Sequence, residues 1–249
     1  MLKLADEKDF SAIRSFCKGD LIGTRIECYC LAYGFNMDFF NVWLQYVDDE
    51  IKAVAALFYD SITLKIGDDC FAEEIVGFCN MLPCNEIISN IPVSHNPTVK
   101  KAYLFRGNAD GYSMKDVDEE YYKKLYTLVS ENISGSFADS KQAYLSWLSD
   151  FTYRKRRGLS RSKGYVEKDT LYSSVITSSE TSDAAVLSAV ATSLQARGNG
   201  LGRSTVLAMV NELRKENKDV YVIALNESAE GFYEHIGFEY TANIYFLKK

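Results

Sequence analysis

Residues 193–204 read S-L-Q-A-R-G-N-G-L-G-R-S: three glycines and two arginines between the apolar run 184–192 and a helical pattern that starts near Leu201. Glycine lets a main chain turn its N–H groups inward, and a helix start adds unpaired N–H groups and the positive end of a dipole. The stretch therefore suits an anion, and three phosphate-binding patterns compete for it. A Walker loop needs Gly, four residues, then Gly-Lys-Ser/Thr; counting back from Gly202 puts Arg197 where the first glycine belongs and Arg203 in place of the lysine. A dinucleotide loop needs G-x-G-x-x-G; Gly198-Asn199-Gly200 begins it, but Arg203 stands at its last glycine and the loop comes late in its domain. The third pattern, [Q/R]-x-x-G-x-[G/A] between a central strand and a long helix, is met by Arg197, Gly200 and Gly202, with Val206, Val210 and Leu213 anchoring the helix to a sheet.

A second segment follows in order. Tyr221–Leu225 reads as a buried strand ending at Asn226, and the run after it matches N-x-x-A-x-x-F-Y-x-x-x-G-F at Asn226, Ala229, Phe232, Tyr233, Gly237 and Phe238. Together the two segments resemble the phosphate loop and the later motif of the GNAT superfamily, the acyl-CoA-dependent N-acyltransferases. The resemblance spans roughly residues 100–249 and is best from 184 to 240; before that it rests on the order of elements.

The resemblance implies an α/β fold with a mixed sheet that splays open between its fourth and fifth strands, with acetyl-CoA in the cleft as co-substrate. It implies main-chain bonds from Val190 and Thr192 to the pantetheine arm, and a pyrophosphate held at Arg197, Gly198, Asn199, Gly200, Leu201, Gly202 and Arg203. Asn226 would bond to pantetheine, with Ala229 and Phe232 beside it. Tyr233 would protonate the leaving thiolate, as a group that stays protonated at neutral pH. The implied reaction is direct attack of a primary amine in a ternary complex, on a small-molecule or peptide acceptor. The alternative is a non-catalytic acyl-CoA sensor or interaction protein. What motivates it is a missing base: 184–190 offers only Ser188, and Glu180 and Asp183 read as turn carboxylates exposed to solvent. No base is assigned.

Composition narrows the rest. The 249 residues are 47% hydrophobic, enough for one large or two small domains. No apolar run is long enough to span a bilayer, and Met1–Glu7 lacks a signal-peptide core, so the expectation is a cytoplasmic protein without a membrane partner. A net charge of −6 argues against nucleic acid. Residues 1–100 carry 8 Lys and Arg against 15 Asp and Glu, whereas 101–249 carry 20 against 19. All six cysteines (17, 28, 30, 70, 79, 84) lie in the first half, at spacings that fit no zinc motif. They read as ordinary thiols, no metal is expected, and a cysteine acyl-enzyme in the second half is excluded.

This asymmetry favours two domains, 1–97 and 98–249, with Pro92–Pro97 as the boundary loop. The second half reads as strand 99–105, helices 116–130 and 139–156, strands near 159–167, 170–178 and 184–192, then helix 201–217, strand 220–225, helix 228–235 and two strands, 238–240 and 243–248. The helix over 139–156 would be capped by Asp139 or Ser140. The first half follows a shortened version: strand 2–4, helices 6–18 and 20–33, strands 41–47, 51–59 and 61–66, helix 70–81 and strand 85–91. It is expected to be a smaller, degenerate GNAT-like domain. Its place for a phosphate loop holds Gly67-Asp68-Asp69, whose carboxylates would repel a pyrophosphate, leaving it to shape the acceptor pocket, bind a regulator or complete the fold. The run Arg154–Arg157 reads first as a structural helix end, and Tyr144, Trp147 and Phe151 as core.

Overall fold

A computed structural model describes residues 1–133 and 140–249. In chain order the elements are β1 (Leu2–Leu4), α1 (Phe10–Cys17), α2 (Leu21–Tyr33), β2 (Phe40–Val47), β3 (Glu50–Phe58), β4 (Ser61–Ile66), α3 (Ala72–Met81), β5 (Glu86–Ser89), β6 (Thr98–Phe105), α4 (Tyr122–Asn132), α5 (Lys141–Arg156), β7 (Ser162–Glu167), β8 (Thr170–Glu180), β9 (Ala184–Thr192), α6 (Leu201–Lys215), β10 (Asp219–Ala224), α7 (Glu227–His235) and β11 (Phe238–Lys248). The chain is mixed α/β, and its contacts divide it into two compact units. Among the described residues no helix is long and apolar enough to cross a membrane.

Unit 1 holds Met1–Tyr103 with Ile223–Glu230 and Tyr240–Lys249. Its strands run β1-β2-β3-β4-β5-β11: β1 to β4 pair antiparallel in turn, β5 pairs parallel with β4, and β11 joins β5 antiparallel from Tyr245–Ser89 to Lys248–Glu86. Asp20 caps α2 by accepting from the Gly23 amide at 2.8 Å. A Cβ on Gly23 would meet the Cys17 carbonyl oxygen at 1.7 Å, so α2 starts this close to the end of α1 only with glycine there. The core gathers Ala55, Leu57, Ile62, Leu64, Ile75, Cys79 and Ile87. The cysteines carry thiols; burial pushes Cys17 and Cys79 up to about 12. Among the described residues no group of three His, Cys, Asp or Glu is placed to hold a metal.

Unit 2 holds Leu104–Val222 with Gly231–Glu239. Its strands run β10-β9-β8-β7, with β10 parallel to β9 and the rest antiparallel. Helix α6 buries Val206, Val210 and Leu213, while α4 and α5 pack Tyr122, Leu125, Val129 and Phe151 around Leu171 and Ile176. Ser140 caps α5 by accepting from the Ala143 amide at 3.1 Å; the other expected cap, Asp139, lies outside the described residues. Gly237, at φ +101°, lies so close to Gly107 that an added Cβ would stand 2.9 Å from that residue's Cα, which explains the glycine of the later motif.

Two expectations need correction. The first helix of unit 2 does not start at 116: Asp116 makes an isolated bridge to Lys163 on β7 and Val117 donates its amide to the Ser162 carbonyl, so pairing holds 116–117 out of the helix and α4 begins at Tyr122, after one 3-10 turn. The last two strands are one, Phe238–Lys248, because polar 241–243 carries on extended through the break that its composition suggests. The Arg154–Arg157 run is largely engaged in structure: Arg154 is buried on Asp150 and the Ser178 carbonyl, Lys155 lies over the Tyr122 ring, and Arg157 over Tyr153.

Candidate coenzyme site of unit 2

Strand β9 shapes this site by what it leaves unpaired. The parallel ladder with β10 runs from Asp219–Ala184 to Val222–Leu187 and stops, while β9 continues to Thr192. Among the described residues, that edge of 188–192 therefore has no strand partner. On the other edge, β8 pairs Ile176 with Ser188 and then Ser174 with Ala191, so Ala189 and Val190 together face one residue, Val175. This is a β-bulge, and its first residue, Ala189, sits at φ +50°, a left-handed conformation unfavourable for a residue with a Cβ. Ser174 holds it there: its hydroxyl donates to the Ala189 carbonyl at 3.0 Å. Nothing in an A-V-L-S-A-V-A run signals a bulge, and sequence reasoning missed it. Only the pairing offset between two strands reveals it.

The loop that follows is held by its first residues. Ser193 donates its amide to the Tyr172 carbonyl at 2.9 Å, and residues 194–196 form one 3-10 turn. The Arg197 guanidinium bonds at 3.2 Å to the Thr192 carbonyl and at 3.2 Å to the Asn132 side chain at the end of α4. Gly198 and Gly200 adopt φ +80° and +74°, which residues with a Cβ rarely do. Gly200 is the N-cap of α6 and among the described residues no side chain caps that helix, so the first-turn amides of Leu201, Gly202 and Arg203 keep their hydrogen-bonding capacity. Gly202 also matters for packing, since a Cβ there would stand 2.8 Å from the Thr192 hydroxyl, with Phe232 at 3.9 Å. It lets α6 dock on β9.

These residues fit an anionic group. Uncapped helix amides, two left-handed glycines and an apolar aromatic wall converge, and the buried Ser193 hydroxyl has no hydrogen-bond partner among the described residues. Tyr233 is 6% exposed, its ring 5.3 Å from Phe232 and 5.5 Å from Phe238. Burial raises its phenol well above the ordinary 10, so it stays protonated throughout the physiological range. Of the expected residues, Val190, Thr192, Arg197, Gly198, Asn199, Gly200, Leu201, Gly202, Arg203, Phe232 and Tyr233 belong to unit 2, whereas Asn226 and Ala229 belong to unit 1. There the Asn226 side-chain Oδ1 accepts from the Ala229 amide at 2.9 Å, a cap for α7. A cavity of about 610 Å3, lined by Asp116, Tyr121, Gly164 and Tyr165 among others, lies along β7 and includes none of these residues.

Glu180 overturns the exposed-turn reading. It ends β8, is 1% exposed, and receives Arg161 (Nε–Oε2 3.0 Å), Lys218 (2.6 Å) and the Thr177 hydroxyl (3.1 Å). It pairs across from Ala185, at the far end of β9 from Thr192. Seven residues at ~3.3 Å each put it roughly 20 Å from the open end, with its charge already matched by two cations.

Strand order, bulge, open edge and glycine loop define a fold of the GNAT acyltransferase type. A match to the FR47-like protein family covers residues 163–247. The whole chain is similar to a GNAT-family acetyltransferase from Colwellia psychrerythraea (13% identity, 100% of both chains, TM-score 0.62). It is similar to a tandem GNAT protein from the clavulanic acid biosynthesis pathway (12%, 100% of this chain and 98% of that, 0.63). It is likewise similar to a GCN5-related N-acetyltransferase from Sphaerobacter thermophilus (12%, 100% and 95%, 0.61). At such identities the likeness establishes the fold, which is GNAT along the full length of the chain. No curated protein matches the sequence.

Proposed function

We propose that the chain transfers an acetyl group from acetyl-CoA to a primary amine, with unit 2 as the catalytic unit. The observation that carries this reading is the continuity of the unpaired β9 edge with the glycine loop and the uncapped start of α6, alongside buried Tyr233. The thioester supplies the activated acyl group. The main chain of Val190 and Thr192 would align the pantetheine arm as an added strand. The amides of 198–203 would take the pyrophosphate, with Arg197 fixing the loop by bonding Thr192 and Asn132. The Ala189–Val190 bulge, pinned by Ser174, frees main-chain groups from the ladder to face the reacting carbonyl. Tyr233 holds a proton for the departing thiolate. Catalysis would then rest mostly on positioning, with the amine arriving neutral or losing its proton through water.

The test is calorimetric titration of acetyl-CoA into wild-type protein and an Arg197→Ala, Gly200→Val double variant. Micromolar binding that the variant loses supports the site; absence of binding to the wild type overturns it. The engagement of Glu180 in ion pairs favours one second reading, a coenzyme-binding sensor without turnover. Tyr233→Phe separates the two. In an enzyme it lowers turnover and keeps coenzyme affinity, whereas a sensor has no turnover to lose.

A further inference from the structure

Unit 1 repeats the plan of unit 2 closely enough to be read element against element. The β2–β3 hairpin turns through Asp48 and Asp49, both left-handed, and the β7–β8 hairpin through Lys168 and Asp169, both left-handed. Each hairpin has a register shift just before its turn, at Gln45/Tyr46 and at Tyr165/Val166. The β4–β5 ladder runs parallel from Ser61–Glu86 to Leu64–Ser89, just as β9–β10 runs from Ala184–Asp219 to Leu187–Val222. In both pairs the first strand continues past the ladder. Counted from the first paired residue, Ile66 stands where Ala189 stands; beyond that the loops differ in length, and Phe71 is the N-cap of α3 as Gly200 is of α6.

At both places unit 1 supplies its own occupant. The residue after β5, Asn90, accepts from the Ile66 amide at 2.9 Å and donates to the Ile66 carbonyl at 2.7 Å. At the helix start, fully buried Gln45 accepts from the Phe71 amide at 3.0 Å and donates to the Phe71 carbonyl at 2.9 Å and to Glu74 at 2.7 Å. A carboxamide is a peptide in miniature, one acceptor and two donors in a plane, so each side chain closes a two-bond ring on the main chain as a strand neighbour would. The Gly67 amide donates to the Lys52 carbonyl at 2.8 Å. Asp68, Asp69, Glu73 and Glu74 surround the start of α3 with negative charge. A pantetheine arm or a pyrophosphate entering here would have to displace two buried amide rings and face four carboxylates.

We infer that unit 1 is a GNAT-like lobe whose coenzyme cleft is filled by its own chain, with Asn90 at the strand opening and Gln45 at the helix start, so that each molecule takes up one acyl-CoA, on unit 2. The stoichiometry rests on the function proposed above; the internal filling of unit 1 does not. Hydrogen exchange with mass spectrometry, combined with native mass spectrometry, tests both on the full chain. With acetyl-CoA, the expected result is one coenzyme per chain and new protection at 188–203 of unit 2, with none at 64–71. Two coenzymes per chain, or ligand-induced protection of 64–71, overturns the inference. Without ligand, the Ile66 amide exchanges slowly, and Asn90→Ala speeds it at least tenfold while β2 and β3 stay protected. Unchanged Ile66 exchange in that variant overturns the inference even if the wild type binds no coenzyme, an outcome that sinks only the proposed function. If Asn90→Ala fails to fold, Asn90→Asp decides: it keeps the acceptor and loses the donor, so Ile66 stays slow while melting falls below wild type. Wild-type melting in Asn90→Asp counts against the ring.

Discussion

Tyr233 and Ala189 differ in how much of their setting the sequence carries. Tyr233 was legible because it sits in a spaced motif, but its burial was not, and burial gives the phenol its raised pKa. Tyr233→Phe is expected to lower kcat by about 10²-fold, the low end of general-acid contributions, with the acetyl-CoA dissociation constant unchanged. Because the phenol's pKa lies above its ordinary value, wild-type kcat from pH 6 to 9 should show no ionisation from this group, and steady-state rates across that range check it. Ala189 is the opposite case. Its sequence context says strand, and its φ of +50° says strain worth about 1–2 kcal/mol. Ala189→Gly should therefore leave urea stability unchanged or raise it by up to about 1 kcal/mol, where the same change in a regular strand would lower it.

At the scale of elements, the approach of α6 to β9 decides the shape of the site. The sequence places Gly202 in an anion loop; its geometry adds a packing reason, because an added Cβ would meet the Thr192 side chain. Gly202→Ala is expected to cost about 1–3 kcal/mol by overpacking and to weaken acetyl-CoA binding through displacement of the α6 start. Chemical denaturation and calorimetry would read the two effects separately. Elements with strong periodicity and end signals, such as α2, β4, β9 and α6, were legible within a residue or two, because caps, glycines and apolar spacing are local. The start of α4 was not. Its Asp116–Val117 segment gains more from backbone pairing with β7 than from a longer helix, and that partner lies more than forty residues on.

Across the whole molecule, charge is organised in ways that composition hides. A formal −6 says little about the network in which Arg161 meets Glu180, Glu212 and Glu216 while Lys218 meets Glu180 and Glu216. Glu216 is held at about 2, below its ordinary 4.5, first by its hydrogen bond from Arg161 and further by Lys218, against the opposing effect of burial. A lowered carboxylate pKa stabilises the fold above pH 4.5, and that contribution is lost as pH falls from there to about 2. Urea midpoints at pH 6 and pH 3 should therefore drop in wild type and drop less in Glu216→Gln. The difference should stay under about 1 kcal/mol, since the carboxylate is partly solvent-screened.

Residue order alone points to the GNAT-type α/β plan and to the position of the glycine loop before α6, because both rest on local spacing, caps and glycine conformations. Contact between distant segments settles the rest. The bulge at Ala189 depends on Ser174 across the ladder, the loop arm of Arg197 on Asn132, and the burial of Glu180 on Arg161 and Lys218. Asn90 on Ile66 and Gln45 on Phe71 are of the same kind, ordinary amides in sequence that become occupants of a cleft only once the sheet brings their partners within 3 Å.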